Sequence, residues 1–239
     1  MPAAPRDVRA LVFDTFGTVV DWRKSIVDDL GAWGPTQGIQ ADWTRLADEW
    51  RGLYDPQKDR VRKGELPWTN LDDLHYDALC KLLPTMGLGH LTEAQRWHIN
   101  NVWHRLHGWP DAVAGLTRLK TKYIIGPLSN GNIALLVDMA KFAGLPWDHV
   151  FSAETFEHYK PAPETYLGVA RQLRLEPGQV MMCAAHNGDL RAARKCGLAT
   201  GYINRPTEYG EKQAKDFKAE EDWDVIATSL EDFATQMGV

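Results

Sequence analysis

Val8-Arg9-Ala10-Leu11-Val12-Phe13-Asp14-Thr15-Phe16-Gly17-Thr18 decides the architecture of this chain. Its apolar run has no helical period, which marks a strand buried on both faces, and it stops at an acid, a glycine and a threonine. In an open parallel sheet the reactive groups collect in the crevice beyond the carboxyl ends of the strands. Asp14 is therefore expected at such an edge, with Gly17 turning the backbone so that amide N–H groups point inward. The result is a carboxylate beside an anion-binding loop; the plainer reading of the same residue is an Asp that only caps a turn.

Outward from this strand the pattern turns helical as far as residue 108. Ile26, Val27, Leu30 and Trp33 have helical spacing, as do Trp43, Leu46, Ala47, Trp50 and Leu53, and then Leu71, Leu74, Ala78, Leu79 and Leu82. Thr92-Glu93-Ala94-Gln95 is a capping-box pattern ahead of Ile99, Val102, Trp103 and Leu106. Seven of the chain's ten tryptophans (Trp22, Trp33, Trp43, Trp50, Trp68, Trp97 and Trp103) fall in this insert. Most are expected to knit small helices together; Trp22 and Trp68 sit off the apolar stripes and are the pocket candidates.

From Asp111, a candidate helix cap, helices alternate with strands at Tyr123–Ser129, Val150–Ser152, Val180–Ala185, Ala199–Ile203 and Asp224–Ala227. Pro127 lacks an N–H and limits the sheet at that point. Gly144 closes one helix, Pro163 opens another, a helix spans about Asp189–Lys195, and Ser229 caps the last. Thr207–Glu221 is charged, weakly periodic and mostly loop. The fold class is α/β: a Rossmann-like doubly wound parallel sheet over residues 1–20 and 109–239, with an all-α insert over 21–108.

The 239 residues carry a net charge of −5 with both signs interspersed, so no basic footprint for nucleic acid or an anionic membrane is present and a small-molecule substrate is expected. No signal-peptide segment precedes Val8 and no run reaches the roughly 20 apolar residues of a membrane helix. Cys80, Cys183 and Cys196 are scattered without C-x-x-C spacing, which suits the reducing cytoplasm and small buried thiols rather than a zinc site or a disulfide framework.

Each strand end carries polar residues in a fixed order: Asp14, then Ser129-Asn130, then Lys160-Pro161, then His186-Asn187-Gly188-Asp189. With Phe-Asp-x-x-Gly-Thr at the start, this series resembles the haloacid dehalogenase superfamily, whose first Asp is a nucleophile. Phosphatases of that superfamily carry a second acid two residues after it; Phe16 stands there instead and cannot protonate a leaving alkoxide. A halide leaves without a proton. The segment Phe13–Asp21 is similar to the L-2-haloacid dehalogenase (type II) branch, which needs no metal or cofactor and commonly dimerises.

The resemblance implies roles residue by residue. Asp14 attacks the halogen-bearing carbon, and water then hydrolyses the aspartyl ester to a 2-hydroxy acid. Lys160 is the counter-ion, Thr18 fixes Asp14, Arg51 faces the halide with Arg23 as its rival, and Asp189 directs the water. Phe16, Ser129, Asn130 and Tyr166 are the expected substrate contacts. The branch's Ser-x-Asn-x-x-Asp reads Ala184-Ala185-His186-Asn187-Gly188-Asp189 here, so either His186 or Asn187 takes over the polar role. Lys160 and Arg51 could otherwise be ordinary surface charges. Two alternatives stand beside this reading: a magnesium-dependent phosphatase or phosphonatase drawing its acid from Asp21, and a non-catalytic binding protein that keeps the fold.

Overall fold

β1 (Ala10–Phe13) is buried at every residue, and its alternate side chains feed two separate cores. The structure, a computed structural model, describes residues 7–211 and 213–239. The amino-terminal stretch considered for a signal peptide lies outside them up to Arg6, and so does Lys212 of the charged loop.

After β1 come α1 (Trp22–Thr36), α2 (Trp43–Gly52), α3 (Tyr54–Arg62), α4 (Leu71–Leu82) and α5 (Glu93–Asn100), the last continued by a 3-10 turn over Asn101–Arg105. The alternating part continues as α6 (Ala112–Lys120), β2 (Ile124–Ser129), α7 (Ile133–Ala143), β3 (Phe151–Ser152), α8 (Ala153–Phe156), α9 (Pro163–Leu173), β4 (Val180–Ala184), α10 (Asn187–Lys195), β5 (Ala199–Ile203), β6 (Val225–Ala227) and α11 (Leu230–Gln236). The six strands are parallel in the order β3-β2-β1-β4-β5-β6, so β1 is central and its carboxyl end opens where the winding reverses. Leu11 and Phe13 pack with residues of α6, α7 and α11 on one face, while Ala10 and Val12 pack with α9 and α10 on the other. A buried phenylalanine in such a place is worth about 3–5 kcal/mol against alanine.

Several local readings hold in detail. The Thr92–Gln95 capping box is present, Ser229 accepts the Asp232 N–H, and Gly144 ends α7 in the left-handed conformation. Ile125 turns its N–H toward Asp148 beside β3, so Pro127, two residues on, offers no donor on that side; pairing with β3 begins only at Leu128. Asp111 departs from expectation. Its carboxylate makes no cap for α6 and instead accepts the Leu230 N–H at 2.6 Å and pairs with Arg205 at 3.0 Å, tying α6 to α11.

Helix α3 was not expected, because periodicity detects apolar stripes and α3 has almost none. Its buried residues are Tyr54, Gln57 and Lys58, and it is held by polar contacts: Lys58 to Asp55 at 2.9 Å, and Gln57 and Arg60 to Asp77 of α4. The tryptophans of the insert mostly do knit helices. Trp103 packs against Trp22, Trp50, His75 and Phe16, a cluster that fastens the helical block behind the end of β1. No helix among the described residues is long and apolar enough to cross a membrane.

Candidate active site

Asp14 lies at the carboxyl end of β1 and lines a cavity of about 340 Å³ between the sheet edge and the helical block. Thr18 fixes it: the Ala185 N–H donates to Thr18 Oγ1 at 2.9 Å, which commits the hydroxyl proton to Asp14 Oδ2 at 3.0 Å. Lys160, in the loop between α8 and α9, donates to Asp14 Oδ1 at 2.9 Å and to Asp189 Oδ2 at 2.5 Å. Asp189, in the first turn of α10, also accepts from the Tyr166 hydroxyl at 2.5 Å. Asn130 closes the floor by accepting the Lys160 backbone N–H at 2.8 Å.

These contacts set the electrostatics. Burial alone would push the Asp14 carboxyl up, but the charges of Lys160 and His186 outweigh it and hold the carboxyl far below the usual range. Burial likewise works against the Lys160 ammonium, and Asp14 and Asp189 more than restore it. Asp14 is therefore an anion and Lys160 a cation at neutral pH.

His186 sits between two carboxylates: its Nδ1 is 2.9 Å from Asp14 Oδ2 and its Nε2 2.9 Å from Glu208 Oε2. Burial disfavours its charge, yet Glu208 and Asp14 hold the ring's pKa well above the ordinary histidine value. Glu208 is 1% exposed and takes the Trp22 indole N–H at 3.0 Å on its other oxygen.

The wall facing Asp14 comes from α2 and α3: Arg51, Tyr54, Asp55, Lys58 and Arg62, with Tyr209, Lys215 and Asp216 beside them. Arg51 stacks its guanidinium on Tyr54, 4.2 Å from the ring centroid, and its Nε is buried without a hydrogen-bond partner among the described residues. Phe16 lines the cavity too, edge-on to Trp103 and Tyr54. Burial pushes the Tyr54 phenol up to about 12, so it keeps its proton.

Of the residues singled out from sequence, Asp14, Phe16, Arg51, Asn130, Lys160, Tyr166, His186 and Asp189 line this cavity, with Thr18 directly behind. Ser129 and Asn187 are not brought to it. Ser129 Oγ is buried and accepts the Gly131 N–H at 3.2 Å, bracing the loop that carries Asn130. Asn187 starts α10 with its side chain turned away, bonded to Asp216, the Lys218 carbonyl, the Glu220 N–H and the Trp223 indole. Between His186 and Asn187, the geometry favours His186. Arg23 is engaged in two hydrogen bonds with Asp48 away from the cavity, which leaves Arg51 facing it. Trp22 lies behind Glu208, and Trp68 packs on Tyr159; neither lines the cavity. Asp21 caps α1 through the Lys24 N–H and is turned away from Asp14's cavity, so it offers no second acid there.

Glu208, Tyr209, Tyr54 and Lys58 were not anticipated. A signal for Glu208 does exist: a Cβ on Gly17, whose φ is +85°, would lie 2.1 Å from Glu208 Oε1. The glycine of the first motif thus serves both a turn and a close approach. Its second partner lies some 190 positions along in a loop with no pattern, and sequence spacing does not reveal it.

The sequence model of the haloacid dehalogenase-like hydrolase family matches residues 8–197. A crystal structure of an L-2-haloacid dehalogenase superposes with a TM-score of 0.94 at 49% identity, covering 96% of this chain and 98% of that one. One of a defluorinating L-2-haloacid dehalogenase gives 0.95 at 43% identity over the full length of both. The (S)-2-haloacid dehalogenase 4A of Burkholderia cepacia is 29% identical over 84% of this chain and 87% of its own length.

Proposed function

The chain belongs to the haloacid dehalogenase-like hydrolases, and we propose that within that family it is a hydrolytic dehalogenase of short L-2-haloacids, haloacetates and fluoroacetate included. The observation that carries this reading is the pairing across the cavity: a carboxylate with one lightly held oxygen, opposite a guanidinium whose Nε has no partner. Similarity to a defluorinating enzyme supports including the carbon–fluorine bond.

Asp14 Oδ2 takes two donors, Thr18 and His186, while Oδ1 takes Lys160 alone, so Oδ1 has the free lone pair and is the attacking atom. It displaces halide in line with inversion at carbon, and the halide departs with the bonding pair toward Arg51 and Asn130. The substrate carboxylate makes this a meeting of two anions, worth about 4 kcal/mol at 4 Å in an effective dielectric of about 20. Lys160 and the amide N–H groups beside Phe16 offset that repulsion. Phe16 excludes water and, lacking an acid, leaves the site unsuited to an alkoxide leaving group.

Water then adds to the ester carbonyl carbon. Asp189 accepts a water proton, Lys160 relays a proton to the departing Oδ1, and the 2-hydroxy acid leaves with that oxygen; one proton reaches solvent with each halide. In this reading residues 21–108 form a cap domain over a core of 1–20 and 109–239. Three free cysteines suit a cytoplasmic enzyme, and a homodimer is the expected assembly, to be checked by sedimentation velocity.

The test is halide release from chloroacetate, fluoroacetate and 2-chloropropionate by the wild type and by Asp14→Asn, with and without a chelator. Release by the wild type alone, indifferent to the chelator, is expected. In single-turnover hydrolysis in heavy-oxygen water the label should enter the Asp14 carboxylate. Phosphate release from esters that needs magnesium, or no halide and no label, would overturn the reading.

A further inference from the structure

We propose that Glu208 is a positioning residue for the second half of the reaction: it holds His186 as an imidazolium whose Nδ1–H stabilises the oxyanion formed on Asp14 Oδ2 when water attacks the ester. The inference rests on the dehalogenase reading and adds to it a residue far from the motifs.

The distances, together with the ionised state of Asp14 and Glu208, both held below the ordinary carboxylate range, set the ring's state. An ionised carboxylate accepts and cannot donate, and each nitrogen of His186 lies 2.9 Å from a carboxylate oxygen, so both nitrogens must carry protons. Glu208 is held in place: Trp22 Nε1–H donates to its other oxygen at 3.0 Å, and its carboxylate occupies space that a side chain at position 17 would take. The groups around the ring are Asp14 from the end of β1 and Glu208 from the loop after β5. Lys160 stands beyond Asp14, and Arg51 and Tyr209 lie near Glu208.

The two half-reactions use this cation differently. In the displacement Asp14 loses its negative charge, so a cation on Oδ2, the oxygen away from the attack, stabilises the starting anion at least as much as the transition state and gives no acceleration. Lys160 differs, because it sits on the attacking Oδ1 and also offsets the substrate's own charge. After the displacement Oδ1 is the ester oxygen and Oδ2 the neutral carbonyl oxygen. As water's lone pair forms the new bond to carbon, the carbonyl π pair moves onto Oδ2, where His186 Nδ1–H and Thr18 Oγ1–H already point. Donors aimed at charge that exists only in the transition state are the ones that raise the rate. When the intermediate collapses the pair returns and the bond to Oδ1 breaks. His186 ends as it began, a donor throughout.

The esterified state is where Glu208 matters most. With Asp14 neutralised, Glu208 is the one anion still touching the ring, and without its charge the imidazolium would give up its Nε2 proton, leaving only a neutral Nδ1–H to face Oδ2. In Glu208→Gln the first equivalent of halide should be released at close to the wild-type rate, whereas steady-state release falls roughly tenfold, the difference between a charged and a neutral donor. The aspartyl ester on Asp14 should accumulate, read by intact-protein and peptide mass after rapid quench with chloroacetate. Its hydrolysis should recover toward low pH and fall as pH rises through the imidazole range, about 6 to 8, in which the wild type stays flat. Glu208→Asp, which keeps the charge, should restore part of the rate. The halide burst itself shows that the variant has folded.

Burst and steady state slowed alike with no ester accumulating would overturn the proposal, as would both unchanged, or an unaltered pH profile. Wild-type protein that releases no halide and forms no ester would instead overturn the dehalogenase reading, and this proposal with it.

Discussion

The floor and the roof of the cavity are built on opposite principles. On the floor, Asp14, Lys160, Asp189, Tyr166, His186 and Glu208 form one continuous chain of hydrogen bonds in which charge alternates and every group has a partner. On the roof, Arg51 and Lys58 bring cations against the Tyr54 ring, and Arg51 Nε has no partner. A fully partnered network spends its polarity on holding geometry, whereas an unpartnered buried cation keeps it for a ligand. Chemistry is thus expected from the floor and anion capture from the roof, and variants on the two sides should fail in different ways.

The largest effect is expected from Lys160→Met. It removes the cation between Asp14 and Asp189 and restores the repulsion of about 4 kcal/mol, a loss of roughly 10³-fold in the halide burst. It also moves the pH profile in a definite direction. In the wild type Asp14 stays ionised well below the ordinary carboxylate range, so the burst should not fall on mild acidification. Without Lys160 burial gains ground, the Asp14 pKa rises, and the acid limb of the burst should shift to higher pH. A variant that keeps the burst within about tenfold, with an unmoved acid limb, would show that the floor's alternating charge is not what prepares the nucleophile.

Arg51→Leu tests the roof at its strongest point. Loss of one preorganised partner for the leaving halide should lower the burst rate about 10²-fold while leaving hydrolysis of ester already formed unchanged, the reverse of Glu208→Gln. Arg51→Lys should recover little of it, because an ammonium lacks the planar, delocalised guanidinium that lies over the Tyr54 ring at 4.2 Å. If Arg51→Leu slows ester hydrolysis as much as the burst, the division between floor and roof fails.

The same division only partly follows what the sequence disclosed, for Arg51 of the roof was legible and Glu208 of the floor was not. Several floor residues stand at or shortly after the ends of strands, and a strand buried on both faces is a loud signal, so Asp14, Asn130 and Asp189, and Lys160 farther beyond β3, can be found among the polar residues that follow the apolar runs. Ser129 and Asn187 satisfy the same rule yet turn into the protein, since adjacent residues at a strand end point to opposite sides and position alone does not choose between them. On the roof, Arg51 rides on α2, whose apolar stripe is legible, whereas Tyr54 and Lys58 lie on α3, a helix secured by Gln57, Lys58 and Arg60 rather than by an apolar stripe, so nothing periodic marks them. Glu208 is hidden for a third reason. Its loop has no regular structure, and the only trace of it in the first motif is the absence of a side chain at Gly17.

Lys58 allows the comparison its finest test, with the smallest expected effect. Its ammonium lies 3.8 Å from the Tyr54 ring centroid and pairs with Asp55, and burial pushes its pKa down to about 7. The folded value is below the unfolded one, so between about pH 7 and the ordinary lysine range the unfolded chain binds more protons and wild-type stability rises with pH. Below pH 7 the burial of charge costs its full amount. Replacing the buried cation by a side chain of similar length, Lys58→Met, should therefore stabilise the fold, by about 1 kcal/mol or about 2–4 °C in the unfolding midpoint at pH 6, and by less at pH 9. Catalysis should change only in KM for the haloacid, a few-fold upward, because Lys58 makes no hydrogen bond to the floor and contributes only positive potential to the mouth of the cavity. Thermal unfolding at the two pH values together with steady-state kinetics checks both halves: a variant that is less stable at pH 6, or whose kcat drops about tenfold, would move Lys58 out of the roof's loosely held charges and into the network that performs the reaction.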